Sequence, residues 1–273
     1  MSSPQSILLQ VDSSSRTTER IRLARQLADE FNAEVIAQPC MLSSIARHPM
    51  ALEGSSSAIA LMQEFDEACL QKAHATFMKA AAGSSRLHWA KPLVEGPWGF
   101  AHRALYADLM ILGQRDADDP AAGELPADFL PGALVQSGRP ALVLPHTGSI
   151  PPVGRQVLVA WKETRESARA VTAALPWLQR ARKVHVLSYG EEAGASLRAL
   201  ERYLQPHGVS VICHDGGPEH AEAGDQVLSR AADLGADLLV MGCYGHSRAR
   251  EWVLGGFTRT ILRSMTLPVL MVH

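Results

Sequence analysis

Aromatic residues make up only 5% of this 273-residue chain, and its four cysteines, Cys40, Cys69, Cys213 and Cys243, are scattered without a C-x-x-C pair. The first shortage leaves little material for a surface that stacks on bases. The second argues against a disulfide framework in so long a chain and points to a reducing compartment. Neither sign of charge prevails. The formal net charge is −2, so no global field draws the chain to nucleic acid or to an acidic membrane surface. No apolar run approaches the ~18 residues that a membrane span needs. The opening "MSSPQS" has neither a basic nor an apolar signal region, so no secretory signal is expected and the default location is the cytoplasm. Two nucleotide motifs are missing as well. There is no G-x-x-x-x-G-K-[ST], which excludes a P-loop NTPase, and no G-x-G-x-x-G dinucleotide fingerprint.

What the chain does have is core material and a repeat. Hydrophobic residues are 47% and charged residues 20%, an ordinary globular balance, and the length suits two domains. "SILLQVDSS" at Ser6–Ser14 matches "QVLVAWKET" at Gln156–Thr164. "AEVIAQ" matches "RKVHVLS", "ADLMILGQ" matches "ADLLVMGC", and "RPALVLPH" matches "LPVLMVH", in the same order. Four segments recurring in order indicate a tandem duplication. The Pro/Gly-rich "HTGSIPPVGR" reads as its linker, giving domains over 1–148 and 153–273.

Each copy alternates short apolar runs with amphipathic stretches. "RTTERIRLARQLADEF" and "RESARAVTAALPWLQRA" carry apolar residues at helical spacing after residues suited to N-caps. "EAGDQVLSRAADLG" ends on Gly235, a suitable helix terminator. The strand candidates are apolar on both faces, as in parallel sheets covered by helices on each side. The expectation is an α/β fold of two tandem doubly wound parallel-sheet domains. The first copy is the longer between its second and third matched segments. Its surplus, "CMLSSIARHPMALEGSSSAIA", reads as a surface excursion, with a lid as the lesser alternative. The helix-like "IALMQEFDEACLQKAHATFMKAA" reads as core through Met62, Phe65, Cys69 and Phe77.

Ligands of open parallel sheets bind beyond the carboxyl ends of the strands, where the strand order switches. Such an end is "MGCYGHSRAREWVLGGFTRT", Met241–Thr260. Gly242 and Gly245 bracket a turn, nine residues follow, and Gly255 and Gly256 open a helix. Glycines let backbone N–H groups approach a phosphate, and anions prefer helix N-termini.

This architecture and spacing resemble the universal stress protein family, whose ATP-binding members carry Gly-x-x-Gly, nine residues, then Gly and Ser or Thr. The resemblance covers both halves, as in a tandem-domain member. It implies Rossmann-like, adenine nucleotide alpha hydrolase-like domains and a stress-response role. It further implies ATP, with magnesium accompanying it, in the C-terminal half only. The triphosphate would lie on Gly242, Gly245, Gly255 and Gly256, among His246, Ser247, Arg248, Phe257 and Thr258. Adenosine would lie near Ala160, Trp161, Lys162, Val186, Leu187 and Met241. The family's hydroxyl after the third glycine is Gly256 here, and its nucleoside-side aspartate is Lys162, which cannot accept a hydrogen bond. Trp161 is left open between core and pocket. The family also pairs its last strands between subunits, so "RPALVLP" and "LPVLMVH" are expected to pair within the chain as a pseudo-dimer; a homodimer of the whole chain is compatible with the sequence but not signalled by it.

In the first half Asp12 keeps the nucleoside-side aspartate and Gly113 survives. Asp116 stands in place of Gly245, and Pro126 and Ala127 replace Gly255 and Gly256. With Asp118, Asp119, Glu124 and Asp128, Asp116 puts negative charge where phosphates would go. Nucleotide binding is expected to be lost there.

Other readings rank lower. "GHSRA" at Gly245–Ala249 imitates a nucleophile elbow, but only Glu251 and His273 follow as triad partners. Cys213, His214, Asp215 and His220 match no established zinc spacing. Arg248, Arg250, Arg259 and Arg263 read first as a solvated helix face. ATP hydrolysis would need a base and usually a magnesium carboxylate, and neither is evident in these roles near Gly242–Thr258. Binding without catalysis is the leading expectation. The alternative is a nucleotide-free interaction module of the same fold.

Overall fold

In a computed structural model of the chain, residues 3–50, 56–148, 152–218, 220, 222–245 and 256–273 are described. It divides into two compact units, Pro4–Arg139 and Pro140–His273.

The first unit runs β1 (Ser6–Val11), α1 (Thr17–Phe31), β2 (Glu34–Pro39), α2 (Ser44–Arg47), α3 (Ser56–Ala81), β3 (Leu87–Trp89), α4 (Phe100–Ala104), β4 (Leu109–Gly113) and α5 (Phe129–Ser137). Its strands lie in the order β3-β2-β1-β4, and the pairs β1–β2, β1–β4 and β2–β3 are all parallel. Ile7, Leu8, Leu9 and Val11 of β1 are all buried, which is why this strand reads as a near-continuous apolar run.

The second unit runs β5 (Ala141–Leu144), β6 (Gln156–Ala160), α6 (Arg165–Leu178), β7 (Lys183–Ser188), α7 (Ala193–Leu204), β8 (Ile212–Asp215), α8 (Ala223–Asp233), β9 (Leu238–Gly242), α9 (Phe257–Ser264) and β10 (Val269–Val272). The order is β5-β10-β9-β6-β7-β8. Five of these strands run parallel, while β5 joins β10 antiparallel with Val143 opposite Val269 and Leu142 opposite Leu270. The expected pairing of "RPALVLP" with "LPVLMVH" is therefore present. The two compact units divide at Arg139/Pro140, ahead of β5.

Local rules account for the helix that matters most below. Thr164 is the N-cap of α6 and accepts the Ser167 N–H at 3.3 Å. At α1 the cap position is Arg16 without a side-chain cap, because Ser14 is turned toward Asp12. Gly235 lies just past α8 at φ +62°, the left-handed position a helix terminator takes.

The long helix α3 corrects the sequence reading. Phe77 is buried and packs on Trp89 with ring centroids 5.3 Å apart, but Phe65 is 54% exposed and Leu61 67%. Met62 and Cys69 are half-buried. The described buried residues of α3 all lie between Ala73 and Ala81, so only its last turns serve as core. Within the surplus segment, α2 is tied to α3 by Asp66, which accepts from the Ser44 N–H at 2.8 Å and the Ser44 hydroxyl at 2.6 Å. Among the described residues no helix is long and apolar enough to cross a membrane.

Candidate functional site

In the second unit the strand order reverses between β6 and β9, which leave the sheet side by side with Ala160 opposite Met241. A cavity of about 300 Å3 opens at their carboxyl ends. That volume is at the low end of the roughly 300–1,000 Å3 of small-molecule sites. Its walls gather Ala160, Trp161, Lys162, Met241, Gly242, Gly245, Gly256, Phe257 and Thr258. Of the other residues expected there, His246, Ser247, Arg248 and Gly255 lie outside the described residues, as do Arg250 and Glu251. Val186 is fully buried within β7, and its neighbour Leu187, with the opposite strand parity, lines the cavity.

Two helix N-termini border the cavity. Gly256 is the N-cap residue of α9, and Thr164 caps α6. Helix N-termini present N–H donors and partial positive charge, which suits an anionic or acceptor-rich ligand. Thr258 is buried, and its Oγ1 accepts the Tyr244 N–H at 3.4 Å, so it holds the glycine loop in place. Tyr244 itself has φ +55°, an uncommon conformation for a non-glycine residue at the turn into Gly245.

Trp161, the residue left open between core and pocket, is half-buried and lines the cavity. Its indole N–H donates to Ser196 Oγ at 2.7 Å, which fixes the ring. Tyr189 and Tyr244 face the same space. Two of the chain's four tyrosines and one of its five tryptophans thus converge on one cleft in a chain poor in aromatics. Flat rings of this kind suit a planar ligand.

Sequence reasoning missed Glu166. Its side chain is 4% exposed and lies in the cavity wall. Burial pushes its carboxyl up, but hydrogen bonds from Arg165 and its own backbone, the Arg165 charge and Thr164 together bring it below the ordinary value. Arg165 Nε donates to Glu166 Oε1 at 2.6 Å. The expectation that no carboxylate stands near the glycine loop is therefore corrected. The signal was weak, since Glu166 is far from Gly245 in sequence and only the first turn of α6 brings it in.

Gly242 and Gly245 are where glycine is required by close approach. A β-carbon on Gly242 would lie 2.5 Å from the Ser167 nitrogen and 2.7 Å from the Glu166 carbonyl carbon. Strand β9 thus presses directly on the first turn of α6. A β-carbon on Gly245 would lie 2.9 Å from Glu166 Oε2.

The matching place in the first unit is nearly closed, at about 50 Å3. Arg20 and Asp12 form an ion pair at 2.5 Å with side chains 4% and 6% exposed. Burial pushes the Asp12 carboxyl up, but the Arg20 guanidinium and the Ser14 and Thr17 hydroxyls outweigh it, holding Asp12 below its ordinary value. Gln10 Nε2 also donates to Asp12 at 2.5 Å, while Gln10 Oε1 accepts the Gly113 N–H at 2.8 Å. A β-carbon on Gly113 would collide with the Arg20 guanidinium. The acidic cluster is also partly redirected. Glu124 is buried and accepts from Ser13 N–H and Oγ, Asp119 accepts from Ser15, and Asp116 accepts the Asp118 N–H. Of the cluster, only Asp116 and Asp119 face the small cavity.

Elsewhere, His214 lies 2.9 Å from His185, ring nitrogen to ring nitrogen, and burial lowers the pKa of both. Among the described residues, no group of three or more His, Cys, Asp or Glu could hold a metal ion. Arg259 and Arg263 are exposed on α9, as a solvated face would be.

Residues 154–273 match the Universal stress protein family. A universal stress protein of Synechocystis is 34% identical over 94 residues, which span 32% of this chain and 31% of that protein's length. Among solved structures, a universal stress protein from Archaeoglobus fulgidus superposes with a TM-score of 0.73 at 18% identity, covering 99% of this chain and 96% of that one. A functionally unknown protein from Pseudomonas aeruginosa superposes with a TM-score of 0.60 at 18% identity, covering 98% and 92%. At these identities the structural likenesses describe the fold.

Proposed function

We propose that this chain, which belongs to the universal stress protein family through residues 154–273, acts as a stress-response protein by binding one adenine nucleotide or nucleoside in the cleft of its second unit. The observation that carries the reading is the cleft itself. It lies at the switch in strand order, bordered by two helix N-termini and the Gly242–Gly245 turn, with four aromatic side chains in its wall. A purine would stack among Trp161, Tyr189 and Tyr244, and the sugar side would face the end of β6. Magnesium would enter only with a polyphosphate. Binding without turnover fits Glu166 best, since a carboxylate held by Arg165 with a lowered pKa is a poor general base.

The first unit would not bind nucleotide. Asp12 already accepts from Arg20, Gln10, Ser14 and Thr17, which leaves it little capacity for a nucleoside.

Titration calorimetry of the full chain tests this. Adenosine or ATP should bind at one site per chain, and Gly245→Asp should weaken ATP binding at least about tenfold, or about 1.4 kcal/mol. Unchanged affinity in that variant would put the ligand elsewhere. A second reading, an interaction module without a nucleotide, draws support from Lys162 standing where an acceptor is needed. It would prevail if neither compound bound.

A further inference from the structure

Glu166 is an anion of the chain's own, set at the place where a phosphate would be expected. It occupies the second position of α6, inside the helix N-terminus whose field favours negative charge. Its Oε2 lies 2.9 Å from where a β-carbon on Gly245 would stand, so the carboxylate covers that face of the glycine turn. It cannot withdraw with its backbone, because Gly242 is packed against the Glu166 carbonyl carbon and the Ser167 nitrogen. Lys162 lines the same cleft, and the nearer counterion is largely exposed. Arg165 reaches Glu166 Oε1, but its own side chain is 75% exposed and its charge is largely spent in water.

We infer that Glu166 sets the charge selectivity of the second unit's cleft, admitting an uncharged adenine nucleoside and disfavouring its polyphosphates. The inference rests on the reading of this cleft as an adenine-ligand site and narrows the ligand within that class. A nucleoside needs only the aromatic walls and the end of β6. A triphosphate must lie along Gly242 and Gly245, where like charge at close range opposes it.

Calorimetry of the full chain with adenosine and with ATP, first in EDTA and then with magnesium, tests the inference. The wild type should bind adenosine more tightly than ATP. Glu166→Gln keeps the shape and removes the charge. It should raise ATP affinity by about tenfold or more, equal to about 1.4 kcal/mol, and leave adenosine affinity unchanged. Glu166→Ala should act in the same direction, and circular dichroism of both variants checks that α6 and the sheet persist. If ATP binds the wild type better than adenosine and Glu166→Gln changes nothing, the inference falls while the adenine site stands. If Glu166→Gln weakens ATP only when magnesium is present, the carboxylate holds a cation rather than repelling phosphate, and the inference also falls. If neither compound binds the wild type or either variant, the adenine reading fails and takes the inference with it.

Discussion

Arg20 and Asp12 meet in a buried ion pair at 2.5 Å in the first unit, where the repeat puts Ala170 and Lys162 in the second. One copy keeps a cavity of about 300 Å3 and the other about 50 Å3. In the first copy a guanidinium fills the space over Gly113. In the second, the first turn of α6 lies over Gly242 instead.

The pair should behave as a buried ion pair does. Breaking it from one side leaves an uncompensated charge and costs about 3–5 kcal/mol, whereas replacing both partners by apolar groups is often close to neutral. Arg20→Ala should therefore sharply lower the urea midpoint of the first unit's transition. Arg20→Met combined with Asp12→Leu should recover most of it. Equal losses from the single and double variants would show that packing, not charge, is at stake.

The same pair sets an acid dependence. Asp12 is held below its ordinary value of 3.8 in the folded chain, so its stabilisation is fully present above that value and is lost as pH falls through the lower, folded one. Melting temperatures of the wild type and Asp12→Asn should differ most near neutral pH and converge as pH falls below the ordinary value of 3.8. A constant gap through that fall would mean that Asp12 titrates alike in folded and unfolded chains.

Thr258 should matter to binding without touching catalysis. Its hydroxyl holds the Tyr244 N–H, and Tyr244 leads into Gly245. Thr258→Val keeps the shape and removes the acceptor, at a cost of about 1 kcal/mol for one hydrogen bond. Adenosine affinity should fall about fivefold if that cost is expressed in the bound loop. No change in affinity would free the loop from Thr258.

Lys162 offers a gain-of-function variant. It lines the cleft but can only donate, whereas an aspartate could accept from ribose hydroxyls. Lys162→Asp should tighten adenosine binding, since hydrogen bonds to a charged group contribute roughly 1.5–3 kcal/mol. Weaker binding would make Lys162 itself a ligand contact.

The strands were legible because burial on both faces leaves near-continuous apolar runs, as in "SILLQV" and "LLVMG". The repeat then located Gly242, Gly245, Asp12 and Lys162. What stayed hidden depends on distance in space rather than pattern. Glu166 enters the cleft only because β9 lies on the first turn of α6, and Arg20 reaches Asp12 only across the turn between β1 and α1. Phe65 misled for a related reason. Apolar residues at helical spacing do not say how far along α3 its neighbours reach.

The central claim is one adenine-ligand site, confined to the second unit. Native mass spectrometry of the full chain with increasing adenosine tests it most directly, because each bound ligand adds its own mass. The account predicts saturation at one adenosine per chain, weakened in Trp161→Ala and kept in Arg20→Ala. Two adenosines per chain, or none at any concentration, would contradict it.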